Sequence, residues 1–112
     1  MPTVNIYTDA QRVCALEEIL GDLRDLTAET LSCGDRKLAS NEVSLRIIVP
    51  EAALPIADTE LEIKAYSYPE RVKKQDEICR SIGNYVKKHC PQAGSVYVWL
   101  QLSELGHSAE EA

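Results

Sequence analysis

Four cysteines, two histidines and a scatter of arginines are the side chains in this sequence with the most direct claim to chemistry. Cys14, Cys33, Cys79 and Cys90 allow three disulfide pairings, and no CxxC spacing joins any two of them. Only His89 and His107 add imidazole, so the clustered ligands of a zinc site are missing from the pattern. The opening Met-Pro-Thr-Val-Asn-Ile-Tyr has no basic segment followed by a long apolar run, which predicts a soluble, cytoplasmic protein with reduced thiols. Cys14 and Cys79 fall on or beside helix stripes, where a free cysteine serves as a small hydrophobe. His107 follows Gly106 beside a polar, acidic tail and is assigned no role. Neither a metal nor a structural disulfide is expected.

Composition narrows the partners. Eighteen acidic against twelve basic side chains give a net charge of −6, which argues against a partner held by phosphate neutralisation. Nucleic acid is therefore not expected. No stretch reaches the roughly 18 apolar residues of a membrane span. With 112 residues, 45% of them hydrophobic, the chain reads as one domain over 1–112, with Leu, Ile and Val in place of the absent Phe.

The elements that position these side chains follow from periodicity. Thr3 to Tyr7 is a short β-prone run, and Thr8-Asp9-Ala10-Gln11 fits a capping box with Thr8 accepting from the Gln11 amide. Val13, Leu16, Leu20, Leu23, Thr27 and Leu31 then repeat at helical spacing, and Gly34 offers a left-handed stop. After a polar linker, Val43, Leu45, Ile47 and Val49 alternate with Ser44, Arg46 and Ile48 until Pro50. Glu51 to Asp58 joins the halves. A second strand-helix-strand unit runs from Thr59 to His107, with Leu61, Ile63 and Ala65 on one strand face. Pro69 opens its helix, and Val72, Ile78, Cys79, Ile82 and Val86 form the helix stripe. Pro91 and Gly94 close that helix, and Val96 to Leu102 alternate with Tyr97, Trp99 and Gln101. The Arg71-Val-Lys-Lys74 cluster reads as a solvated helix face, although Arg71 opens the second helix as Arg12 opens the first.

Two βαβ units with parallel, right-handed crossovers predict an α+β fold: a four-stranded sheet with both helices on one face. The alternative is a ferredoxin-like fold, which has the same element order around an antiparallel sheet. The ten-residue, two-proline connection from Pro50 to Thr59 disfavours the middle hairpin that this alternative requires. Arg46, Ile48, Tyr97 and Trp99 then fall on the sheet face opposite the helices, a surface apolar enough to favour self-association.

Pro2 directly after Met1, Arg12 at the first helix, Leu45-Arg-Ile-Ile-Val-Pro-Glu51, and Ser95-Val-Tyr-Val through Leu105-Gly-His107 together resemble the tautomerase superfamily, the group of 4-oxalocrotonate tautomerase and macrophage migration inhibitory factor. The resemblance spans nearly the whole chain. It implies a trimer whose sheets face a central axis. It also implies an N-terminal proline, freed by loss of Met1, that serves as general base in cofactor-free proton transfer on a small enol or keto acid. Pro2 holds that position. Arg12 and Arg46 match cationic positions that bind a substrate carboxylate, and Tyr97 matches an aromatic site residue. Trp99 departs from the pattern, which has a polar residue there. Two functions follow: an isomerase using Pro2, Arg12, Arg46 and Tyr97, or a non-catalytic trimeric binding module of the same fold.

Overall fold

The structure is a computed structural model that describes residues 2–34 and 37–104. Strand β1, Thr3–Tyr7, leads into a turn capped by Asp9, whose side chain accepts from the Gln11 amide at 3.0 Å. Thr8, the cap expected from sequence, is buried instead. Its hydroxyl donates to the Asp58 carbonyl and meets the Thr59 hydroxyl, each at 3.2 Å, tying the end of β1 to the start of the second unit. The expected single helix is two: α1, Val13–Glu17, and α2, Leu20–Leu31. A tightened turn, Ile19 N–H to Leu16 carbonyl at 3.1 Å, separates them and lets both Leu16 and Ile19 reach the core. Helix α2 ends at Ser32 in extended geometry, with Gly34 following at φ +50°.

Strand β2, Ser44–Ile48, returns parallel to β1. The proline-bearing loop then leads to β3, Thr59–Tyr66, whose Thr59, Leu61, Ile63 and Ala65 are buried on alternate positions. Pro69 stands at the first position of α3, Pro69–Lys73, and α4, Gln75–His89, follows. A short 3₁₀ turn and Gly94 at φ +73° lead to β4, Val96–Ser103. The strand order is β2-β1-β3-β4. Both outer pairs are parallel and the central pair is antiparallel, which rules out the all-antiparallel ferredoxin-like alternative.

The helices cover one sheet face. Val4, Ile6, Leu61 and Ile63 pack there with Leu16, Leu23, Leu31, Ile78, Ile82 and Val86 as one core. Among the described residues no helix is long and apolar enough to cross a membrane. All four cysteines are free thiols, with Cys14 exposed, Cys33 and Cys79 half-buried, and Cys90 buried.

Two expectations for the second helix fail together. Val72, placed on the inward stripe, is 45% exposed, and Arg71, read as part of a solvated face, is 4% exposed. The break at Lys74 between α3 and α4 resets the helical phase, so the α3 residue turned inward is the arginine. Its Nε donates to the Leu31 carbonyl and one terminal nitrogen to the Tyr66 carbonyl, both at 2.9 Å, and the guanidinium lies 4.6 Å from the Tyr68 ring centre. One side chain thus holds the end of α2, the end of β3 and the start of α3. Arg71→Met keeps most of the volume but strands two acceptors, which predicts a loss of about 2–4 kcal/mol in urea unfolding. A loss under about 0.5 kcal/mol would show that the clamp carries no stability.

Candidate functional site

Antiparallel pairing of β1 with β3 gives the sheet two chemically different ends. At the first, Pro2 is buried and its carbonyl accepts from the Ser44 amide at 3.1 Å. The Ser44 hydroxyl in turn accepts from the Arg46 guanidinium at 2.9 Å, so the start of β2 links Pro2 to an exposed cation. Because Thr3 faces Lys64 in the register, β3 finishes beside the start of β1, and Arg71, bonded to the Tyr66 carbonyl, belongs to this end. Pro2 and Arg71 therefore share one end of the sheet, and Arg46, paired with Asn5 in the middle of β1, reaches toward that end through Ser44.

Arg12 is at the other. It follows β1, and the length of that strand separates it from Pro2 by about 17 Å. Its guanidinium stands 3.5 Å from carboxylate oxygens of both Asp9 and Asp58, while its Nε is buried with no hydrogen-bond partner. Asp58 is fixed more firmly. One of its oxygens accepts from the Ser95 amide at 3.0 Å and the Ser95 hydroxyl at 3.1 Å, joining the starts of β3 and β4. A Cβ at position 94 would collide with this carboxylate, so glycine serves there twice, for its positive φ and for the space it leaves. The Ser95 backbone bond first, then the Ser95 hydroxyl and the Arg12 charge, hold the Asp58 carboxyl below the usual carboxylate range.

The bare sheet face lies between these ends in register rows. The middle row runs Arg46, Asn5, Glu62, Trp99, and the row nearer Arg12 runs Ile48, Tyr7, Glu60, Tyr97. Glu62 accepts from Asn5 at 3.0 Å and from the Tyr7 hydroxyl at 3.2 Å, both on one oxygen. Burial, then the Glu62 charge, push the Tyr7 phenol above its ordinary value. The Asn5 amide oxygen is buried without a donor. Tyr97 and Trp99 are 44% and 52% exposed, as their places on the open face require.

Of the four site residues expected from sequence, the fold thus brings Pro2 and Arg46 toward one end and leaves Arg12 and Tyr97 of the same chain toward the other. Sequence reasoning noted that Arg71 opens the second helix as Arg12 opens the first, but read it as part of a solvated face, whereas it is buried at the Pro2 end. Among the described residues, no three His, Cys, Asp or Glu side chains are grouped to hold a metal ion.

Comparison with solved structures follows this geometry. A malonate semialdehyde decarboxylase superposes with a TM-score of 0.69 at 10% identity, covering 97% of this chain and 91% of that one. A 5-carboxymethyl-2-hydroxymuconate delta-isomerase gives 0.68 at 12% identity, covering 100% and 89%. A macrophage migration inhibitory factor-like protein from Entamoeba histolytica gives 0.63 at 11% identity, covering 96% and 95%. All three are tautomerase-superfamily proteins, and the fold of this chain is theirs. By sequence, neither a protein-family profile nor a curated protein matches the chain.

The Asp58 lock has a pH signature. A carboxyl with a depressed folded value stabilises the fold above its unfolded value of about 3.9, and that contribution is lost as pH falls through the folded value. Asp58→Asn is expected to flatten the acid limb of a stability-against-pH curve and to leave the neutral-to-basic limb unchanged in slope. An acid limb identical to that of the parent protein would contradict the assignment.

Proposed function

We propose that the chain is a homotrimeric, tautomerase-like enzyme that moves a proton between carbons of a small unsaturated or 2-keto acid without a cofactor, using Pro2, freed of Met1, as general base. The observation that carries this reading is that Pro2 and the buried Arg71 guanidinium occupy the same end of the sheet. A general base must be unprotonated near neutral pH, and a fixed positive charge together with a dry, apolar setting disfavours the protonated amine. Met1 must leave first, because a proline nitrogen within a peptide bond has no basic lone pair.

Lys64, opposite Thr3, and Arg46 are exposed cations toward this end; Lys64 stands 3.9 Å from Glu62, whereas Arg46 bonds Ser44 and has donors to spare for a substrate carboxylate. The Pro2 nitrogen takes a proton from the bound acid, the electrons pass into an enolate held beside the cations, and the same nitrogen returns the proton at a different carbon. Arg12 and Tyr97 enter such a site only from a neighbouring copy. A trimer with sheets turned inward supplies that neighbour, covers Tyr97 and Trp99, and offers a donor to the orphan Asn5 oxygen.

Trp99 favours a second reading. Its half-exposed indole lies on the open face, on the edge strand opposite that of Arg46, where the family pattern has a polar residue, which suits a trimer that binds a ligand without turning it over.

Protein lacking Met1 is expected to scatter light as a trimer at micromolar concentration and to isomerise members of a panel of enol and 2-keto acids. Pro2→Ala is expected to lose at least about 100-fold in kcat/KM while staying trimeric, the scale of general acid–base catalysis. If Arg46 holds the carboxylate only in the ground state, Arg46→Ala raises KM with kcat unchanged; if it also stabilises the enolate, kcat falls too. Equal activity in protein retaining Met1 would exclude Pro2 as the base, and a stable monomer would remove the shared site.

A further inference from the structure

A cavity opens at the Arg12 end of the chain, away from Pro2, and its chemistry is opposite to that of an acid-binding site. It encloses about 590 Å³ between the end of β1, the start of β3 and the loop that joins the two units. That volume suits a small molecule. Pro50, Leu54, Pro55 and Ile56 form an apolar wall, and Tyr7 and Glu60 are among the polar groups facing it. Leu54 is fully exposed and Ile56 is 78% exposed, so the rim presents apolar side chains that no described residue covers.

We propose that this cavity binds an organic ammonium, a primary or quaternary amine carrying an apolar body. The charge balance decides the sign. Asp9, Asp58 and Glu60 line it, and the one cation beside them, Arg12, is shared between the two aspartates. Glu60 faces no cation among the described residues. One of its oxygens accepts from the Ile56 amide at 3.1 Å, which aims the carboxylate and leaves the other oxygen for a ligand. In the register Glu60 lies between Tyr7 on β1 and Tyr97 on β4. A carboxylate beside a tyrosine and an apolar wall is the chemistry that recognises ammonium groups, through the ion pair, the ring and the desolvated body together. A metal ion is a poor occupant, since the carboxylates do not gather into a ligand set and half the wall is hydrocarbon. An anionic keto acid is repelled. Within one chain the cavity lies away from Pro2, and Arg12 and Tyr97, which the proposed trimer lends to a neighbour's site, are not among its lining residues.

The test uses the full chain labelled with ¹⁵N and two probes of one shape and opposite charge, 2-phenylethylammonium and phenylacetate. The ammonium is expected to give saturable shifts of the Tyr7, Ile56, Ala57 and Glu60 amides, with a midpoint on the order of a few millimolar for so small a ligand. Phenylacetate is expected to leave those amides unmoved. Glu60→Gln should weaken the ammonium at least fivefold. Leu54→Lys should do the same from a side chain too exposed to alter the fold, and Pro2→Ala should bind as the parent does. Shifts that fail to saturate, an equal response to phenylacetate, or unchanged affinity in Glu60→Gln would each overturn the proposal. So would shifts at these amides that follow protein concentration alone, which would assign the cavity to a second copy of the chain.

Discussion

The antiparallel seam between β1 and β3 is the constraint on which the rest of the molecule depends. Each βαβ unit is parallel within itself and right-handed, so each puts its helix on one side of its own strand pair. Joining the units through antiparallel neighbours makes the two crossovers related by a half-turn, and both helices then cover the same face. A parallel seam would have placed the start of β3 beside the start of β1. The observed register, Thr3 opposite Lys64 and Tyr7 opposite Glu60, instead sets the start of one unit against the finish of the other.

That exchange distributes the charges. Each helix opens with an arginine just after its strand has ended, so the arginine of one unit lies at the end of the sheet where the other unit begins. Arg71 bonds the Tyr66 carbonyl at the end where β1 begins, and Arg12 meets Asp58. The two ends have then diverged. At one, the guanidinium is buried against the Leu31 and Tyr66 carbonyls and the Tyr68 ring. At the other, the strand begins with an aspartate that neutralises the arginine and locks Ser95 into place. The Arg12 end gathers Asp9, Asp58 and Glu60, which is why the ammonium ligand is proposed there and the acid substrate beside Pro2.

Strands were legible in the sequence because their signal is short-range. Alternation at Leu61, Ile63 and Ala65, or at Val96 through Leu102, reports a buried face within a few residues, and the structure reproduces those faces. The length and prolines of the middle connection likewise pointed away from a hairpin. Helix continuity was less legible. The breaks at Ile19 and Lys74 come from tightened turns that tertiary packing selects, and each shifts the helical phase, so Val72 turned outward and Arg71 inward. The cap passed from Thr8 to Asp9 because the threonine hydroxyl had a buried partner in Thr59, about fifty residues away, which no local pattern encodes. The candidate residues Pro2, Arg12, Arg46 and Tyr97 came from a family resemblance, and the separation of Arg12 from Pro2 follows from the length of β1, which lies between them.

The central claim is that the fold prepares the Pro2 nitrogen to act as a base, and titrating that nitrogen tests it most directly. In protein labelled with ¹⁵N-proline and freed of Met1, the account predicts that the Pro2 amine titrates below the 7.7–8.0 or so of ordinary α-amino groups. Neutralising the nearby charge in Arg71→Met is predicted to raise that value in molecules that remain folded. A Pro2 amine that titrates at or above about 8, unmoved by Arg71→Met, would contradict the claim that this end of the sheet is built for proton transfer.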